Sequence, residues 1–192
     1  MIEMIKKVIK IRKSFSINTL LKYTCVEDYI LERGKEPKYN EVINAEQYLY
    51  LMSLVRKSKI QNFRIGNCHL NATELLRVDD EQRLQYIEGF AASNDNFYYH
   101  HAWLELDGYT IDVTWRHENG KFYIKEDVEN NLADIVMGKI PPNWKYLGVV
   151  LNREFVLEQN SDYTSTRLLL GSHTHNFTFL KQDRINKIDK KK

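Results

Sequence analysis

Three side chains in this sequence have the types and the chain order that nucleophilic catalysis requires. They are Cys68 in "RIGNCHLNATELL", and His101 and Asp112 in "HHAWLELDGYTIDVTW". A thiol attacks a carbonyl as its thiolate, so it works best beside an imidazole that takes its proton. The imidazole in turn needs a carboxylate to fix its tautomer and orientation. Together the three would run acyl transfer through a thioester, provided that the fold brings them into contact.

The hairpin decides which of two adjacent histidines is the candidate. Asp107-Gly108 is a strong signal for a two-residue type I′ turn. Leu106 then pairs with Tyr109, and the numbers of each cross-strand pair sum to about 215. His101 is expected opposite Thr114, and Trp103 opposite Asp112. Side chains alternate, so His101, Trp103, Asp112 and Thr114 share one face. Ala102, Leu104, Leu106, Tyr109, Ile111 and Val113 form an apolar row on the other, and His100 is stranded with them. His101 and Asp112 become diagonal neighbours, roughly 7–8 Å apart at Cα and able to lean together. On the hairpin alone the simpler reading is a structural hydrogen-bonded pair.

Cys68 shifts that balance. Gly66 permits a tight turn, and Cys68 then opens an amphipathic helix with Ala72, Leu75 and Leu76 on one face. Backbone N–H groups and the positive end of the helix dipole favour a thiolate at that position. A lone cysteine opening an apolar helix is otherwise a small buried residue. Cys25 in "LKYTCVEDYI" is read that way, because neither a glycine turn nor a helix start is evident around it.

The elements that must position these residues follow from periodicity. Residues 1–60 read as helices: "NEVINAEQYLYLMSLVRKSK" has Asn40 as a candidate cap, with Val42, Ala45, Leu49, Met52 and Val55 at helical spacing. "RGKEPKYN" before it is a loop. Residues 61–157 carry the Cys68 helix and the strand-like runs "LQYIEGFAA", "FYYHHAWLEL" and "YTIDVTW", with a further strand after the Pro-Pro break in "IPPNWKYLGVVL". Residues 158–192 form a C-terminal extension. The expected class is α+β, with a helical N-terminal part packed on an antiparallel sheet.

At 192 residues and 43% hydrophobic content, the chain suits one domain with a sizeable core. The net charge of +2 is too small to argue for nucleic acid. The basic residues nevertheless concentrate in "MIEMIKKVIKIRK", a basic amphipathic helix expected to pack on its own domain, and in "RINKIDKKK", read as a solvated tail. No run is long and apolar enough to span a bilayer, and the N-terminus lacks the pattern of a secretory signal. Two cysteines in dissimilar surroundings form no disulfide scaffold and suit a reducing, cytoplasmic setting.

"GNCHLNATELLR", "YIEGFAA" and "HAWLELDGYTIDVTW" together resemble the core of the transglutaminase-like superfamily of cysteine enzymes. Gly66, Cys68, Ala72, Gly89-Phe90, His101-Ala102-Trp103, Asp112 and Thr114 carry the resemblance. It covers residues 64 to 115 and extends to a strand at Tyr146-Leu147-Gly148. It implies a papain-like fold in which a helix bearing the cysteine packs on an antiparallel sheet bearing histidine and aspartate. It further implies Cys68 as nucleophile, His101 as general base and acid, and Asp112 as the orienting group. "RIGNC" is also similar to the Arg-Gly-Gly-x-Cys turn of arylamine acetyltransferases, but Ile65 replaces a glycine there and His-Ala-Trp is not theirs.

An oxyanion needs at least two donors. The Cys68 backbone N–H is one, and Gln61 or Asn62 is the candidate for the second, though both also read as ordinary loop or cap residues. Trp103 and Trp115 would line an acyl pocket or simply pack. His69 is expected at the surface, and Glu88 as a solvated or paired strand residue. "TRLLLGSHTHNFTFLK" reads as a strand pair or as a helix and a strand; on a strand His173 and His175 would face the same way, but without a third ligand no metal is expected, and no cofactor is implied. Two functions remain. One is a thiol hydrolase or acyltransferase acting on a protein or peptide amide, as a peptidase, glutamine deamidase or transglutaminase. The other is a non-catalytic binding domain of the same fold, contacting an acidic partner or nucleic acid through its basic termini.

Overall fold

The computed structural model describes residues 1–15, 25–59, 63, 66–94, 97–116, 135–159 and 169–170. Four helices come first: α1 (Ile2–Phe15), α2 (Val26–Arg33), α3 (Ala45–Lys57) and α4 (Cys68–Val78). Strands β1 (Leu84–Asn94), β2 (Phe97–Leu106), β3 (Tyr109–Arg116), β4 (Ile135–Met137) and β5 (Lys145–Leu151) follow, and α5 (Arg153–Gln159) closes the series. The five strands form one antiparallel sheet in the order β4-β3-β2-β1-β5. The class is α+β, and the three-residue edge strand β4 is the element too short for periodicity to reveal.

The sheet has two different faces. Tyr86, Phe90, Ala102, Leu104, Leu106, Ile111, Val113, Leu147, Val149 and Leu151 join one apolar cluster with residues of all five helices, Cys68, Ala72, Leu75 and Leu76 of α4 among them. Ile87, Ala91, Trp103, Val136, Ile140 and Tyr146 form a smaller second cluster. This division follows the strand pairing, since Ile87 is registered with Trp103 and Ala91 with Tyr146, all at alternate positions. At Gly89 the backbone of the paired strand β5 lies so close that no Cβ fits, the Leu147 carbonyl oxygen being 2.2 Å from where it would sit. One on Gly148 would sit 2.5 Å from the Trp103 ring, so this glycine makes the room that lets Trp103 lie flat in the second cluster.

The α1 helix packs on its own domain, burying Ile5 and Ile9 in the main cluster. Among the described residues no helix is long and apolar enough to cross a membrane. The basic C-terminal tail lies outside the described residues.

The third helix corrects one sequence expectation. Asn40 does not cap it; its side chain accepts from the Ile140 N–H instead. The cap is Asn44, whose Oδ1 accepts from Gln47 N–H at 2.9 Å while Gln47 Oε1 accepts from Asn44 N–H at 3.0 Å. This reciprocal box starts the helix later and turns its buried face to Leu51, Met52, Leu54 and Val55. Val42 and Leu49, assigned to the buried face from spacing, are 67% and 65% exposed. Replacing Asn44 with Ala removes the box and is expected to lower stability by about 1 kcal/mol. Urea unfolding should show a lower midpoint with an unchanged slope, since the surface exposed on unfolding is the same.

Candidate active site

The hairpin forms as its turn residues dictate. Asp107 and Gly108 both take positive φ, 52° and 93°, as a type I′ turn requires. Leu106 pairs with Tyr109, Glu105 with Thr110 and Leu104 with Ile111, so the expected pairing sum holds over these residues. Beyond Leu104 and Ile111 the ladder stops, and the expected pairs His101–Thr114 and Trp103–Asp112 do not form. The cause is Asp112 itself. Its Oδ1 accepts the backbone N–H groups of Thr114 at 2.9 Å and Trp115 at 3.1 Å, diverting them from the sheet. The β3–β4 register shifts over the same residues.

Where the strands part, the side chains meet directly. His101 Nε2–H donates to Asp112 Oδ2 at 2.7 Å, and Tyr146 Oη–H of β5 donates to the same oxygen at 2.9 Å. The Cys68 side chain lies near enough to the His101 imidazole to contribute to its charge state. Since Nε2 is taken by Asp112, Nδ1 is the nitrogen left for the thiol. All three residues are buried, His101 and Asp112 at 2% and 1% exposure and Cys68 at 9%.

Cys68 owes its place to the start of α4. Gly66 adopts φ +88°, and Asn67 precedes the helix without a side-chain cap. The N–H groups of the first turn have no acceptor within the helix and point past the sulfur. A second link ties this helix to the carboxylate: Asn71 Nδ2 donates to Thr114 Oγ1 at 2.9 Å, and Thr114 is the residue whose N–H Asp112 holds. Asp112 therefore positions the imidazole directly and helix α4 through Thr114 and Asn71.

The charges follow from this geometry. Burial disfavours a charged His101, but the charge and hydrogen bond of Asp112, with contributions from Cys68, outweigh it and raise the imidazole from 6.5 to about 10. For Asp112, burial pushes the carboxyl up, and the His101 charge and hydrogen bond, with the two backbone N–H groups, overcome it and hold the carboxyl below its usual 3.8. Burial, with the Asp112 charge and hydrogen bond, pushes Tyr146 well above its usual range, so it serves Asp112 as a donor. The arrangement presents a protonated imidazole near the Cys68 side chain at neutral pH.

Aromatic rings enclose the imidazole. Trp115 stacks on it with centroids 4.9 Å apart and Trp103 at 6.1 Å. Trp103 is 2% exposed and packs against Gly148 and Tyr146, so it supports His101 from within the second cluster. Trp115 is only half-buried. Gln61 and Asn62 lie outside the described residues, as do His173 and His175. Among the described residues no cluster of His, Cys, Asp and Glu is arranged to hold a metal ion.

His69 departs from its sequence reading, and Cys25 is buried as expected but in an unexpected setting. His69 is not a surface group: it is 2% exposed, and its Nδ1–H donates to Tyr86 Oη at 2.7 Å. Tyr86 donates onward to Glu88 Oε2 at 3.2 Å. Glu88 is fully buried and paired, accepting the N–H groups of Leu169 at 2.8 Å and Leu170 at 2.7 Å, with His100 Nε2 3.3 Å away. His100 does lie on the apolar side, against Phe90. Cys25, contrary to the expectation that no helix start frames it, occupies the N-cap position of α2, and it is fully buried in the main cluster. Tyr146 is the site residue that residue-type reasoning missed. Its signal was only a tyrosine on a predicted strand, with nothing local to aim it at Asp112.

No protein-family model, no curated protein and no solved structure matches the chain.

Proposed function

We propose that the protein is a cysteine acyltransferase or hydrolase of the transglutaminase-like type, acting on an amide of a protein or peptide. The observation that supports this is the placement of Cys68, at the start of a helix, beside a His101 that is hydrogen-bonded to Asp112. The Cys68 sulfur, its proton passed to His101 Nδ1, attacks the carbonyl carbon and forms the C–S bond. The oxyanion is received by the Cys68 backbone N–H and the first turn of α4. His101 returns the proton to the leaving nitrogen as the C–N bond breaks, which leaves a thioester. Water or an amine then attacks the thioester, giving its proton to His101, and the Cys68 sulfur departs. Asp112 keeps Nε2 as the fixed donor, so the reacting nitrogen stays Nδ1 throughout.

p-Nitrophenyl acetate offers a direct test, because its activated carbonyl needs no specific recognition. A burst of p-nitrophenol is expected, with an acetyl group on Cys68 that hydroxylamine releases. Cys68→Ser should show no burst. A folded wild-type protein that acquires no acetyl group on Cys68 would sink the acyl-transfer reading.

A further inference from the structure

Acyl transfer leaves open whether the nitrogen that departs or enters is ammonia or an organic amine. Peptide hydrolysis expels an amino-acid amine, deamidation expels ammonia, and cross-linking admits an amine. The surroundings of His101 bear on this. Tyr99, His101 and Trp103 alternate along one face of β2, and Trp115 lies over the His101 ring. Outward from Trp115 stand two more rings, both edge-on to it: Tyr99 with centroids 5.9 Å away and Trp144 at 5.1 Å. Tyr99 is 56% exposed, and both tryptophans are half-buried. An aromatic surface thus begins on the imidazole and runs outward to solvent.

Its side of the site is set by the chemistry. The carbonyl oxygen must point at the first turn of α4, while the leaving or entering nitrogen must reach His101, since that group gives or takes its proton. Trp115 stacks on His101, and Tyr99 and Trp144 pack edge-on to Trp115, so the rings continue outward from the imidazole and flank the nitrogen side. We infer that Tyr99, Trp115 and Trp144 form a subsite for an aromatic or large aliphatic side chain on the amine half of the substrate. This inference rests on the acyl-transfer reading, and it selects within that reading. Ammonia has no apolar group to place there, whereas an amino-acid amine buries its side chain against three rings.

Partition of the acyl-enzyme between amines measures this directly. The protein is acetylated with p-nitrophenyl acetate in the presence of phenylalaninamide or glycinamide at equal concentration, and the N-acetylated amides are quantified. In the transfer the amine nitrogen attacks the thioester carbonyl, its proton passes to His101, and the Cys68 sulfur leaves. Phenylalaninamide is expected to be captured at least about tenfold better than glycinamide in the wild type. The ratio should fall toward one in Tyr99→Ala and in Trp144→Ala. Tyr99 is largely exposed, so its replacement keeps the test available should loss of Trp144 disturb the fold. Formation of the acyl-enzyme with equal capture of both amines overturns the subsite and leaves the acyl-transfer reading standing. A preference that survives both substitutions overturns the subsite in the same way. Absence of any acyl-enzyme overturns that reading and the subsite with it.

Discussion

Iodoacetamide at pH 6 should alkylate Cys68 readily in the wild type and about a hundredfold more slowly in His101→Ala. The expectation comes from the charge state of the pair. His101 is raised to about 10 by Asp112 and Cys68, so at pH 6 it is a cation held against the sulfur. Removing the imidazole removes both the proton acceptor and the positive charge that favours a reactive sulfur. Cys25 supplies the internal control, because it is fully buried in the main core and should stay unlabelled while the protein is folded. Equal alkylation of Cys68 in both proteins, with Cys25 protected, would show that His101 does not activate the thiol. Labelling of Cys25 would instead report loss of the fold, and His101→Gln would then be the variant to compare.

The second large effect is on stability. Asp112→Ala should cost about 3–5 kcal/mol, because it leaves the buried His101 cation without its counter-charge. It also strips acceptors from Tyr146 and from the N–H groups of Thr114 and Trp115, and so loosens the Asn71–Thr114 link to α4. Asp112→Asn keeps an acceptor for the backbone groups and should be milder. The pH dependence has a definite sign. His101 is raised above its usual 6.5, so its contribution is complete below that value and is lost as pH rises through about 10. Asp112 is lowered, so its contribution is present above 3.8 and lost as pH falls through its folded-state value. Chemical denaturation from pH 6 to 10 should therefore show wild-type stability declining, and Asp112→Asn should flatten that decline. A variant that retains the full alkaline slope would mean that the His101–Asp112 pair is not its source.

Some of this was legible because the controlling interactions are local. A two-residue Asp-Gly turn needs two positive φ values and thereby sets the register of the strands beside it. Alternation along β2 and β3 then puts His101 and Asp112 on one face and His100 on the apolar side, although the pairing itself stops at Leu104 and Ile111. Gly66 and the apolar spacing of Ala72, Leu75 and Leu76 likewise placed Cys68 at a helix start. Other features had no local cause. Whether Asn40 or Asn44 capped α3 depended on which asparagine found Gln47 rather than Ile140 N–H as its partner.

The sequence by itself determined the α+β class, the register next to the Asp107-Gly108 turn and the face that His101 shares with Asp112. Only the tertiary structure decided that the ladder would end at Leu104 and Ile111, opening the sheet where Cys68 meets His101. That break, the Tyr146 donor and the burial of His69 and Glu88 all depend on contacts between residues distant along the chain. Turn chemistry and periodicity act over a few residues, whereas a buried carboxylate must satisfy its oxygens with whatever donors the packed chain brings to it.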